Sequence, residues 1–101
     1  MKFKLKGAQV SVDARNNLAS TADGNEIKLS KSAIRMLCLF NSNPNVPLSR
    51  DIITAHCWGK SVSHNSVNVT VSEIRRKLSG EGVKIRCIRK MGFVFDTGDK
   101  Q

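Results

Sequence analysis

The hydrophobic pattern of this chain changes period twice, and those two changes restrict its fold more than any other feature. Residues 2–6 alternate Lys with apolar residues (Lys2, Phe3, Lys4, Leu5, Lys6), and residues 9–13 alternate again as Gln9, Val10, Ser11, Val12, Asp13. A repeat of two turns one side of an extended strand toward a core. Residues 17–20 and 26–29 read as two further short strands, because Asp23-Gly24 between them supplies the positive φ angles of a tight turn. At Ser30 the repeat becomes helical: Ile34, Leu37 and Cys38, with Met36 and Phe40 beside them, run on to the stop at Asn41-Ser42-Asn43-Pro44, and Ser30 serves as N-cap. A second short helix follows Ser49, carries Ile52, Ile53, Cys57 and Trp58, and closes at Gly59, with Pro47 interrupting the chain before it. A third runs from about 63 to 78, its core stripe being Val67, Val71, Ile74 and Leu78. After Ser79-Gly80-Glu81-Gly82 the period returns to two, which predicts a strand over 83–89, a turn at Lys90-Met91-Gly92 and a strand over 93–95. The expected fold is therefore α+β: an N-terminal antiparallel sheet, three helices and a C-terminal β-hairpin. One domain over residues 1–97 with a polar tail at 98–101 accounts for the whole chain.

Charge then restricts the partner. Seventeen Lys and Arg stand against eight Asp and Glu in 101 residues, a net charge of +9. Such an excess calls for an anionic partner, with nucleic acid and an anionic membrane surface as the main classes. The Lys2, Lys4 and Lys6 alternation equally suits the solvent side of an edge strand, which weakens the membrane reading. No run approaches the roughly 18 apolar residues of a membrane span, and the N-terminus lacks a secretory signal. Cys38, Cys57 and Cys87 are odd in number and have no Cys-x-x-Cys spacing, so neither a disulfide framework nor a zinc clip is indicated and a reducing cytoplasm is the expected compartment. His56 and His64 have no carboxylate or Cys at metal or triad spacing, and the adjacent His56 and Cys57 diverge on a helix. The sequence thus predicts no enzyme, no catalytic residue, no metal, no cofactor and no small-molecule substrate. His56 reads as a half-exposed helix residue, His64 as a loop or first-turn residue, and Trp58 as a core plug.

The third helix carries the functional signal. Its face opposite the apolar stripe holds Asn65, Val69, Ser72, Glu73 and Arg76, flanked by Ser66, Asn68, Thr70 and Lys77. An ordinary solvent face would mix Lys with Glu. Short polar side chains and an exposed Val instead suit a major groove, where Asn pairs with adenine and Val meets a thymine methyl. Beside this face, residues 75–90 hold Arg75, Arg76, Lys77, Lys84, Arg86, Arg89 and Lys90 against Glu81 alone. Asn68 and Val69 are expected at base edges, with Ser66, Thr70, Arg76 and Lys77 on phosphates. Glu73 has two readings: an ion pair with Lys77 four residues on, or acceptance of a hydrogen bond from a cytosine amino group. The rival to duplex DNA binding is a protein-interaction module that keeps the fold and has lost the DNA.

These stretches, taken together, resemble the OmpR/PhoB-type winged-helix DNA-binding domain over about residues 3–95. The resemblance is carried by Leu29-Ser30, Asn43-Pro44, Leu48-Ser49-Arg50-Asp51, Trp58-Gly59, the whole run from Asn65 to Leu78, and Ile88-Arg89 through Gly92-Phe93. It implies a recognition helix in the major groove, a wing whose Arg89 reaches the adjacent minor groove, and a loop at Lys60–Val62 that can touch RNA polymerase; Lys90 and Met91 depart from the usual small residues of the wing turn and add a charge near phosphate. It also raises binding in tandem or as a dimer on double-stranded DNA. Ala33 and Ile52 stand where many members carry a capping-box Glu. Ser72-Glu73-Ile74-Arg75 is closer to the ToxR/CadC-like branch than to response regulators, which often have Arg at the Glu73 position. The sheet also starts directly at Met1, where a response regulator has a receiver domain. The ToxR/CadC-like branch is therefore the expected one, as a stand-alone bacterial regulator or as the cytoplasmic part of a longer inner-membrane protein.

Overall fold

The computed structural model describes residues 2–59 and 62–98. Four strands, β1 (Lys2–Lys4), β2 (Val10–Asp13), β3 (Leu18–Thr21) and β4 (Glu26–Lys28), form an antiparallel meander in chain order. The register places Phe3 opposite Val12, Val12 opposite Ala19, and Ala19 opposite Ile27. These four side chains share one face, and Val12 and Ala19 are fully buried. A slip of one residue would turn the whole row outward, so the alternation itself sets the register.

Three helices share one hydrophobic core with that face: α1 (Lys31–Ser42), α2 (Arg50–Trp58) and α3 (His64–Lys77). The Ser30 hydroxyl accepts from the Ala33 amide at 3.2 Å, and the Ser49 hydroxyl accepts from the Ile52 amide at 3.1 Å, so both predicted N-caps form. Gly59, at φ 70°, ends α2 in the left-handed conformation that other residues adopt at a cost. Arg75, Arg76 and Lys77 lie in the last turn of α3, where cations offset the partial negative charge of the helix end. Met36, Leu37, Phe40, Ile53, Val67, Val71 and Ile74 are buried together, and the rings of Phe40 and Phe95 lie 6.3 Å apart. Trp58 is half-buried against this core.

The hairpin differs from expectation at its tip. Strands β5 (Ile85–Ile88) and β6 (Gly92–Phe95) are joined by Arg89-Lys90-Met91, closed by a 3.0 Å bond from the Met91 amide to the Ile88 carbonyl. Arg89 is thus a turn residue, and Gly92 belongs to the second strand. The reason lies in a segment with no strand signal, residues 45–48, which docks along β6. The Leu48 amide donates to the Phe93 carbonyl at 2.8 Å, the Phe93 amide returns a bond to Leu48 at 3.0 Å, and the Asn45 amide donates to Phe95 at 2.8 Å. Pro47 lies between Asn45 and Leu48 in this pairing and has no N–H to contribute.

At Gly92 the backbone of Leu48 comes so close that a Cβ would overlap its carbonyl oxygen, and φ is 132°. Gly92→Ala is therefore expected to lower stability by at least about 3 kcal/mol, seen as a reduced urea midpoint. Gly24→Ala, at φ 86° with open space around it, should cost only about 1–2 kcal/mol. Equal losses at both positions would mean that the close approach of Leu48 is unimportant.

Candidate nucleic-acid interface

Burial divides α3 into two sides. Val67, Val71 and Ile74 are at most 1 % exposed, whereas Asn65, Asn68, Val69, Ser72 and Arg76 are exposed and Ser66 is half-buried. Val69 is 59 % exposed, an unusual state for a β-branched apolar residue. Thr70 departs from its expected place near phosphate. It is buried, and its hydroxyl donates to the Ser66 carbonyl at 2.9 Å, which satisfies the polar atom within the helix.

Glu73 is engaged at the start of α1. One carboxylate oxygen accepts from the Ser30 amide at 2.8 Å and the other from the Ser30 hydroxyl at 2.7 Å. Lys77 approaches at 3.3 Å and also donates to the Lys28 carbonyl at 2.9 Å. The i,i+4 pair is present as one of the two sequence readings has it. The Ser30 contact, across 43 residues, has no signal in local spacing. Its chemistry is that of a capping box: the acid absent at Ala33 is supplied by another helix, and it holds the amide of the N-cap residue. Burial pushes the Glu73 carboxyl up, but the Ser30 and Lys77 hydrogen bonds outweigh it, leaving the group below the ordinary value of 4.5. Glu73 and Lys77 therefore brace α3 against the sheet and α1, where the sequence alone places them on the reading face.

The basic run is divided in the same way. Arg75 donates through Nε to the Ile85 carbonyl at 3.0 Å, with Nη2 on the same oxygen, and so fastens the first residue of the wing to α3. Arg86 pairs with Asp96 at 3.1 Å. Arg76, Lys84, Arg89 and Lys90 are exposed and have no ion-pair partner among the described residues. Lys90 has a positive φ of 67° at the turn position where Gly or Asn is usual, which holds two cations at the tip.

Two residues escape sequence reasoning. Arg50, the first residue of α2, lays its guanidinium over the Phe93 ring at 4.7 Å, with Nη2 3.4 Å from Asn68 Oδ1 and 4.0 Å from Cys87 Sγ. Asp51 meets the His64 ring at 3.2 Å and ties the first turns of α2 and α3. Neither pair has a spacing signal, because each joins different elements. Burial pushes the Cys57 thiol up to about 11, so it is a protonated core group. Among the described residues no three metal-ligating side chains converge, and no helix is long and apolar enough to cross a membrane. Of the Lys60–Val62 loop, Lys60 and Ser61 lie outside the described residues.

Residues 24–95 match the family model described as "Transcriptional regulatory protein, C terminal". The response regulator ArlR of Staphylococcus haemolyticus is 32 % identical over 95 residues, covering 90 % of this chain and 42 % of ArlR. The chain thus spans about two-fifths of that relative. Among solved structures, the DNA-binding domain of Escherichia coli CadC superposes with a TM-score of 0.79 at 25 % identity, over 89 % of this chain and 88 % of that one. The Klebsiella pneumoniae RstA DNA-binding domain, solved in complex with the RstA box, gives 0.75 at 22 % identity, over 95 % and 97 %. The curated relative is a response regulator and the similar structures include the CadC domain, so neither branch of the resemblance is singled out.

The bracing role of Glu73 has a pH signature. A carboxyl whose folded value is depressed contributes stability above its unfolded value and loses it as pH falls through the folded one. Glu73→Gln is expected to cost about 1–2 kcal/mol at pH 7, and the gap to wild type should close as pH falls below 4.5. Urea unfolding at pH 7 and pH 3 checks this; a gap of the same size at both would exclude the charged cap.

Proposed function

The chain belongs to the OmpR/PhoB-type family of transcriptional-regulator C-terminal domains, and from that premise we propose that it binds duplex DNA with α3 in the major groove and the Arg89–Lys90 turn at the neighbouring minor groove. The observation that carries this is the exposed α3 face of Asn65, Asn68, Val69 and Ser72 lying in one molecule with four unpaired cations at 76, 84, 89 and 90. A major groove admits a helix and offers acceptors, donors and thymine methyls to those side chains. Asn68 and Val69 read bases. Asn65, Ser66, Ser72 and Arg76 sit along the flanking phosphates. Arg89 enters a narrow A·T minor groove, whose negative potential favours a guanidinium, and Lys90 neutralises a phosphate beside it. Thr70, Glu73 and Lys77 act behind this surface by holding α3 in place.

As the DNA-reading part of a bacterial transcription regulator, the domain occupies residues 1–97 and works in the cytoplasm, where its DNA is. The family resemblance supports two further partners: RNA polymerase at the loop of residues 60–62, and a second copy bound in tandem or as a dimer.

Titration by fluorescence anisotropy tests the proposal. Four cations on phosphates should weaken binding roughly 10²-fold between 50 and 200 mM salt. Arg89→Ala should cost about 1–3 kcal/mol on a specific site. A protein-interaction module would bind duplexes weakly and with no loss on Arg89→Ala.

A further inference from the structure

We propose that Arg50 is a positioning residue that fixes the polarity of the Asn68 amide and thereby sets which base edge Asn68 can read. The inference rests on the proposed base reading by α3 and adds a residue outside that helix and outside the wing tip. Arg50 is held from behind: its guanidinium lies 4.7 Å from the centroid of the Phe93 ring, a cation–π contact, and Phe93 itself is only 3 % exposed. The backbone leading into Arg50 is also set, because Ser49 caps α2 and Leu48 is bonded to Phe93 through both its amide and its carbonyl. From that fixed base Nη2 reaches Asn68 Oδ1 at 3.4 Å.

A guanidinium has donors and no acceptor, so it can face only the oxygen of the amide. The usual freedom of an Asn to exchange its oxygen and nitrogen positions is thereby removed. With Oδ1 toward Arg50, the Nδ2 group is presented outward as a donor, and one lone pair of Oδ1 remains. That pattern matches a purine N7 acceptor beside an adenine amino donor. Without Arg50 the amide can rotate by half a turn and present an acceptor where the donor stood, so that adenine loses its advantage over other bases. Cys87, 4.0 Å from the same Nη2, gives the guanidinium a second weak anchor on the wing, and the reader's orientation is thus coupled to the hairpin.

The test compares wild type, Arg50→Ala, Arg50→Met, Asn68→Ala and the Arg50→Ala/Asn68→Ala double variant on a panel of single-base variants of a selected site at fixed salt. Arg50→Met keeps an apolar stem on Phe93 and removes the donors, so it reads the same effect if the alanine variant is unstable. The expected result is that Arg50→Ala and Arg50→Met reduce discrimination at the one base pair where Asn68→Ala abolishes it, by at least about five-fold. In the Asn68→Ala background, removing Arg50 should change that discrimination no further. Uniform weakening on every duplex with discrimination intact overturns the proposal and makes Arg50 a phosphate contact. If Asn68→Ala itself alters no base preference, base reading by Asn68 fails and this inference falls with it, a result distinct from the first.

Discussion

The paired hydrogen bonds between Phe93 and Leu48 determine where the wing stands relative to the helices, and most of the proposed DNA-binding surface depends on them. Phe93 comes from the hairpin and Leu48 from the turn before α2, so the two bonds close a long loop of chain at one point. The buried ring adds roughly 2–3 kcal/mol of apolar stabilisation. Two guanidinium groups gather at it, Arg50 at 4.7 Å and Arg75 at 6.0 Å. One of them reaches the exposed side of α3 at Asn68, and the other pins the Ile85 carbonyl. Helix and wing are consequently joined through one packed contact, so that under the proposed binding mode neither element has to be ordered on DNA.

Charge is used in two ways within one basic sequence. Arg75, Lys77 and Arg86 are engaged by carbonyls or carboxylates and support the fold, while Arg76, Lys84, Arg89 and Lys90 stay available for an anion. The acids follow a complementary logic. Glu73 replaces the cap missing at Ala33 and carries negative charge to the start of α1, where the helix dipole favours it. Asp51 lies in the first turn of α2 and meets His64 of α3. Both contacts turn the ends of helices into fastenings between helices. A negative group that would repel phosphate on the open face of α3 is thereby drawn to its edge and neutralised.

The elements were legible in the sequence because each rests on local signals: alternation in the sheet, Ser30 and Ser49 as caps, Gly59 as a stop, and Val67, Val71, Ile74 and Leu78 as one stripe. Tertiary contacts account for what was not legible. The alternation extends to Val83 and Lys84, but the hairpin pairs as β-structure only from Ile85, and Leu48 decides the place of Gly92. Thr70 lies at the border of the helical wheel, where rotation of a few tens of degrees separates solvent from core. Glu73 has a sufficient partner in Lys77, so the sequence gives no reason to look 43 residues back to Ser30. Arg50 is one basic residue among many, and only the placement of Phe93 beneath it distinguishes it from a solvated side chain.

Base reading is proposed for the exposed face of α3, with Val69 and Asn68 at its middle. Selection of bound sequences from a pool of random duplexes, carried out in parallel with wild type and Val69→Ala, tests it most directly. A defined motif is expected for the wild type, containing at least one A·T pair whose definition is lost in the Val69→Ala selection while the remaining positions persist. Recovery of no motif, or of the same motif at every position from both proteins, would contradict it.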